Sequence, residues 1–169
     1  TKEIISSRKY PHLEIGAQEL LDKTTLRMID TIADAIRHAD IVFIAVQTPH
    51  KPEYEGITPM PEEKADFDYT ALTEAVRNIS RVALDLRKPI TLVVISTVLP
   101  GTTERELMPF IDDNPYVTLV YSPMFIAMGT TIEDAMNPEM VLIGADKKNL
   151  SKTMEVMGEF YRPLHKAEL

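Results

Sequence analysis

The sequence predicts an α/β fold built on a mainly parallel sheet. Three observations carry that expectation. Residues 41–46 (IVFIAV), 90–95 (ITLVVI) and 117–121 (VTLVY) are short apolar runs rich in β-branched residues. Strands buried on both faces of a parallel sheet have this composition. Segments with helical apolar spacing separate the runs, and strand alternating with helix marks α/β architecture. The runs also stop at small polar or proline-bearing turns: Gln47-Thr48-Pro49, Ser96-Thr97 and Ser122-Pro123.

Each element follows from local signals. Residues 17–21 form a short helix, and 26–29 read as a short strand. Thr31 and Asp34 cap a helix carrying Ile32, Ala33, Ala35 and Ile36. Asp40 interrupts that pattern, and the strand at 41–46 follows. Residues 50–66 cannot be helical throughout, because Pro52, Gly56, Pro59 and Pro61 punctuate them. A loop of this length inside a compact domain is usually functional or mobile. Its carboxylates, Glu53, Glu55, Glu62, Glu63 and Asp66, match no ligand spacing and read as solvated charge rather than a metal site.

Asp68 fits the N-cap of a helix whose apolar face holds Leu72, Ala75, Val76, Ile79, Val82, Ala83 and Leu86. Pro89 follows its end, and the strand at 90–95 comes next. Pro100 and Gly101 then turn the chain. Thr103 and Glu106 have the spacing of a capping box, opening a helix with Leu107 and Met108. Asn114 and Pro115 lead into the strand at 117–121. Residues 125–129 (FIAMG) form an apolar segment closed by glycine, Thr131 and Asp134 cap a helical turn, and 140–143 read as a fourth strand. The last helix carries Leu150, Met154, Met157 and Phe160 and ends before Pro163.

Composition narrows the function classes. The 169 residues suffice for one domain with its own core. A net charge of −8 without a basic run argues against nucleic acid or an anionic membrane as partner. No apolar stretch approaches the roughly 20 residues of a membrane span. The polar start shows no signal peptide, so a cytoplasmic location is the default. Cysteine is absent, which removes disulfides, zinc–thiolate sites and cysteine nucleophiles from this chain. The nine methionines read as core filler before ligands. The start at Thr1 without an initiator Met reads as a processed, truncated or incomplete chain.

Ligands of open α/β sheets sit beyond the carboxyl ends of the strands. Thr48, Ser96 and Thr97 would stand there, offering hydroxyls and backbone groups to a ribose or phosphate. A capped strand-to-helix turn holding no ligand would have the same local sequence. Neither Ser96 nor Thr97 lies in a G-x-S-x-G elbow or near a histidine in sequence, so neither reads as a nucleophile. His12, His38, His50 and His165 are scattered and read as surface residues, His50 being the best placed of them. No G-x-G-x-x-G occurs, so the phosphate cradle of a complete dinucleotide fold is missing from the chain.

Taken together, residues 39–49 (ADIVFIAVQTP), 66–79, 96–103 (STVLPGTT), 122–129 (SPMFIAMG) and 132–144 (IEDAMNPEMVLIG) resemble the UDP-glucose/GDP-mannose dehydrogenase family in its N-terminal, NAD-binding part. The resemblance runs from about residue 12 to residue 161 and implies a Rossmann-like domain, with helices on both faces of a mainly parallel sheet. It implies NAD-dependent, two-step oxidation of a nucleotide-sugar primary alcohol to a carboxylate in polysaccharide biosynthesis. By matching position, Val46, Gln47, Thr48, Pro49, His50, Ser96, Thr97, Val98 and Met128 would line the cofactor. Thr97 would also lie beside the reacting group and help hold a water. Phe125, Ile126, Ala127 and Met128 would face the sugar through their backbone. No metal is implied, and a homo-oligomer would form through regions outside this chain.

The chain departs from the family pattern in three ways. The first strand with its glycine-rich turn is absent, so residues 1–169 would be a partial domain, incomplete at the N-terminus. The family's cysteine nucleophile belongs to a later domain. Met124 and Met128 stand where the family has glutamates that position water and contact the nicotinamide end. A thioether neither transfers protons nor supplies an anionic acceptor. An NAD or nucleotide-sugar binding module without catalysis is therefore the rival expectation.

Overall fold

The computed structural model describes residues 2–57, 59 and 61–164. His165 lies outside the described residues. Helices α1 (Lys2–Ser7), α2 (Ala17–Lys23) and α3 (Ile32–His38) precede strand β1 (Ile41–Ile44). The long helix α4 (Thr70–Leu86) leads to β2 (Ile90–Val94), and β3 (Val117–Tyr121) follows two short helical turns. Then come α5 (Thr131–Met136), β4 (Gly144–Ala145) and α6 (Leu150–Tyr161).

The strands form one sheet in the order β1-β2-β3-β4. β1, β2 and β3 run parallel, with Ile41 opposite Thr91 and Thr91 opposite Thr118. β4 is antiparallel to β3 and pairs only Val120 with Ala145 and Tyr121 with Gly144. The α/β expectation therefore holds, with one antiparallel strand on a parallel core.

Strand alternation divides the core in two. Leu92 and Val94 of β2, Leu119 of β3 and Ile44 of β1 face one side, against Ile36 of α3 and Leu72, Val76, Ile79 and Ala83 of α4. Val93 and Val120 face the other side, against Met157 and Tyr161 of α6. Helices thus cover both faces. The four α4 residues recur at 4, 3 and 4 positions, which keeps them on one helical stripe. Burying each large aliphatic side chain contributes about 1.5–3 kcal/mol before entropy is counted. Every residue of β2 is buried, as a central strand covered on both faces requires. β1 lies at the sheet edge, and its Phe43 is 36% exposed while its ring meets Phe160 at 4.9 Å.

Helix ends follow the expected chemistry at α3 but shift by one residue at α4 and α5, whose caps are Tyr69 and Thr130 rather than Asp68 and Thr131 and make no side-chain cap bond. The Thr31 hydroxyl accepts from the Asp34 N–H at the start of α3. Asp68 accepts from the Thr70 N–H just ahead of α4. α4 ends in a Schellman arrangement, with Lys88 N–H on the Ala83 carbonyl and Arg87 N–H on the Leu84 carbonyl.

Several expected elements differ. Residues 26–29 are irregular, not a strand. Leu26, Met28 and Ile29 are exposed there, so the segment has no buried sheet face to join. The strands expected at 41–46 and 90–95 stop at Ile44 and Val94. Residues 140–143 are unpaired, and the fourth strand is Gly144–Ala145 instead. The capping box at Thr103 does not form. Glu106 binds Arg105 at 2.8 Å, and Thr103–Leu107 is a single π-helical turn. Pro109 lacks the N–H that would continue an α-helix, and Met108–Phe110 tightens into a 3-10 turn.

Candidate functional site

The parallel pairing sets the carboxyl ends of β1, β2 and β3 side by side. Ile95 N–H donates to the Ile44 carbonyl at 3.1 Å, and Ser122 N–H to the Val94 carbonyl at 2.9 Å. The chain segments that leave these strands form two walls at this end of the sheet.

The first wall follows β1 and β2. The Ser96 hydroxyl donates to the Val46 carbonyl at 2.6 Å, and the Thr48 hydroxyl donates to the Thr97 carbonyl at 2.7 Å. These two bonds staple the strand ends together past the point where ladder pairing stops. Ser96 is buried beneath them, while Thr97, Gln47, Pro49 and His50 are exposed and Val46, Thr48 and Val98 are half-buried. The His50 ring nitrogen Nδ1 lies 2.9 Å from the Lys51 carbonyl.

A polar cluster braces this wall from behind. The buried Tyr69 hydroxyl donates to Asp66 at 2.6 Å and accepts from the Leu99 N–H and the Thr102 hydroxyl, each at 3.2 Å. Arg105 reaches the same Asp66 carboxylate at 2.6 Å, and the Phe67 N–H donates to it at 2.8 Å. The Asp68 N–H donates to the Pro49 carbonyl at 2.8 Å. The Tyr69 hydroxyl bond, joined by the Phe67 N–H and the Arg105 charge and opposed by desolvation, holds the Asp66 carboxyl below its usual range. One carboxylate of the acidic 50–66 loop is thus a structural tie.

The second wall is the segment after β3. Ser122 is buried and its hydroxyl lies 3.0 Å from that of Tyr161. Met124, Phe125 and Ile126 are 42%, 51% and 45% exposed, and Met128 is 99% exposed. A shallow pocket beside them is lined by Pro123, Met124, Phe125, Pro138, Met140 and Tyr161. Two carboxylates hold the backbone of this wall. Asp134 accepts from the Ala127 N–H at 2.9 Å, and Glu14 accepts from the Gly129 and Thr131 N–H groups at 2.9 and 2.7 Å.

All the sequence-derived positions therefore gather at one end of the sheet: 46–50 and 96–98 on one wall, 124–128 on the other. No site motif in the sequence marks Tyr69, Arg105, Glu14 or Asp134. Asp66 opened a recognisable helix motif, which was a usable signal for the first wall. Glu14 carries no local pattern that announces its partners. Among the described residues no cluster of three His, Asp or Glu side chains could hold a metal, and no helix is long and apolar enough to cross a membrane.

Residues 3–165 match the NAD binding domain of the UDP-glucose/GDP-mannose dehydrogenase family. The chain belongs to this family. It is 29% identical over 167 residues to a GDP-mannose 6-dehydrogenase of Pseudomonas syringae pv. tomato, covering 93% of this chain and 36% of that protein. It is 34% identical over 142 residues to the UDP-glucose 6-dehydrogenase of Rhizobium meliloti, covering 83% of this chain and 29% of that protein. A crystal structure of a ternary complex of GDP-mannose dehydrogenase from Pseudomonas aeruginosa superposes with a TM-score of 0.75 at 28% identity. That match covers 96% of this chain and 36% of the other. The chain thus spans about a third of the length of these relatives.

NAD is the cofactor of this domain family. The first wall offers exposed polar Gln47 and Thr97 with half-buried Val46 and Val98, groups of the kinds that a ribose hydroxyl and a flat ring would take. A glycine-rich diphosphate cradle has no counterpart in the sequence.

Proposed function

We propose that this domain serves NAD-dependent oxidation of the primary alcohol of a nucleotide sugar to a carboxylate. The observation that carries the reading is the first wall: two strand ends, stapled by Ser96 and Thr48, that leave Thr97 exposed between them. When bound, NAD supplies the hydride acceptor. Val46, Gln47, Thr48, Pro49, His50, Ser96, Thr97 and Val98 would line it, and Ser96 would act mainly through its backbone because its hydroxyl is committed to Val46. Thr97 would lie beside the reacting group and help hold a water. Phe125, Ile126, Ala127 and Met128 would face the sugar through their backbone, and Met128 would also line the cofactor. The glycine-rich turn and the cysteine nucleophile would come from outside residues 1–169. The same reading carries with it a cytoplasmic location and a homo-oligomer formed outside this chain.

Met124 and Met128 favour a second reading. Both are exposed on the second wall, and neither side chain can transfer a proton. A module that binds NAD or a nucleotide sugar without turnover has the same first wall. Calorimetric titration with NAD, UDP-glucose and GDP-mannose, followed by an assay for NADH with both ligands present, separates the two. Binding with NADH formation supports the enzyme, and binding without it supports the module. Absence of all binding sinks both.

A further inference from the structure

Glu14 bridges distant parts of the chain. Besides the Gly129 and Thr131 N–H groups, its carboxylate accepts from the Thr131 hydroxyl at 3.1 Å. The bonds to Gly129 and Thr131 span 115 and 117 residues of sequence. Glu14 is partly buried, and its own backbone is tied down, since its carbonyl accepts from the Ala17 N–H at 3.2 Å just at the start of α2.

On the other side of the loop, Asp134 holds the Ala127 N–H and the Thr130 hydroxyl, each at 2.9 Å. The N–H groups of residues 127, 129 and 131 are thus each held by a carboxylate. Bonds to an ionised acceptor are about twice as strong as neutral ones. The side chains of the same segment give little anchorage, since Phe125, Ile126 and Met128 stand largely in solvent. Its backbone is therefore held by the two acids together with local bonds, the Thr130 N–H and the Thr131 hydroxyl both donating to the Ala127 carbonyl. Asp134 belongs to the same local stretch as the loop, whereas Glu14 is supplied by the N-terminal segment.

We propose that Glu14 is a positioning residue that sets the backbone of residues 125–129 against the sugar portion of a nucleotide sugar, and that it takes no part in holding NAD. This rests on the functional reading above. Among the described residues the Glu14 carboxylate bonds only to residues 129 and 131. The cofactor wall is held by a separate set of bonds, from Thr48, Ser96 and Tyr69. Removing Glu14 should loosen one wall and leave the other standing.

The test compares the unaltered protein with Glu14→Ala and Glu14→Gln. Alanine removes both acceptor oxygens. Glutamine keeps the size and one acceptor, and turns an N–H donor toward the other backbone donor. Affinities for NAD and for UDP-glucose and GDP-mannose are measured separately by calorimetry, and amide hydrogen exchange is followed at Gly129 and Thr131.

We expect Glu14→Ala to bind the nucleotide sugar about tenfold more weakly, with NAD affinity within about twofold and the glutamine variant in between. Exchange should rise at Gly129 and Thr131 but not at Leu99. If the unaltered protein binds both ligands and the variants lose both in parallel, or lose neither, the positioning role is overturned while the functional reading stands. If the unaltered protein binds NAD but neither nucleotide sugar, the sugar-wall reading falls and the positioning role falls with it. Unchanged exchange at Gly129 and Thr131 in Glu14→Ala also overturns the proposal.

Discussion

The two walls at the carboxyl end of the sheet are held in different ways. The wall after β1 and β2 is fastened by hydroxyl bonds beside the sheet and braced by a buried tyrosine, which is itself tied to Asp66. The wall after β3 is an exposed apolar segment whose backbone hangs on two carboxylates. The first resembles core: a fault there leaves a polar group unpaired near a packed interior. The second resembles a clasped loop: Phe125, Ile126 and Met128 stand largely in solvent while carboxylates hold its backbone. The difference teaches that one end of a sheet can combine a wall tied into the packed interior with a wall whose side chains are largely exposed. Met124 and Met128 belong to the exposed wall.

The largest test of this contrast removes what the walls share. Leu92 is fully buried in the central strand, and Leu92→Ala should cost about 2–5 kcal/mol in chemical denaturation. Both walls should lose protection from hydrogen exchange together. Protection retained in either wall would mean that it does not depend on β2.

Tyr69→Phe keeps the ring and deletes one oxygen. It strands the Leu99 N–H and the Thr102 hydroxyl, and should cost about 1–3 kcal/mol. Exchange should rise at Leu99 and stay level at Gly129 and Thr131. Equal loosening of both segments would break the distinction between the walls.

Acid should act on the first wall through Asp66, with a smaller effect. Its carboxyl is held below the usual range chiefly by the Tyr69 hydroxyl. Because the folded value is depressed, the stabilisation is complete above the unfolded Asp value of about 3.9. It is lost as pH falls through the native value. Melting temperature followed downward from pH 6 or so should therefore drop below about pH 4. In Asp66→Asn that part of the drop should be missing. A parallel acid response in the variant would remove Asp66 from the bracing of this wall.

The smallest expected change is Met128→Glu. The side chain is 99% exposed, so stability should stay within about 0.5 kcal/mol. A larger loss in thermal melting would show that the second wall depends on its side chains after all.

Legibility divides along the same line. The short apolar runs at 90–95 and 117–121, rich in β-branched residues and bounded by turns, read as buried strands, and the turns after them pointed to the carboxyl end of the sheet. Thr31 and α4 were readable because capping and amphipathic spacing are local patterns. Residues 26–29 and 140–143 misled because an apolar run shows strand character but not whether a partner strand lies beside it. The capping box at Thr103 misled because Pro109 and the Arg105 contact decide the course of that turn.

The sequence alone determined the α/β class, the mainly parallel character of the sheet and the ordered motifs of the dehydrogenase family. Each depends on periodicity or turn chemistry within a few residues. Only the tertiary structure decided that Ser96 spends its hydroxyl on Val46, that Tyr69 braces Leu99, and that Glu14 clasps Gly129 and Thr131. Those bonds join residues 30 to 117 positions apart. No spacing rule specifies them, because a carboxylate or hydroxyl finds its donor only after the packing of apolar faces has brought the two segments together.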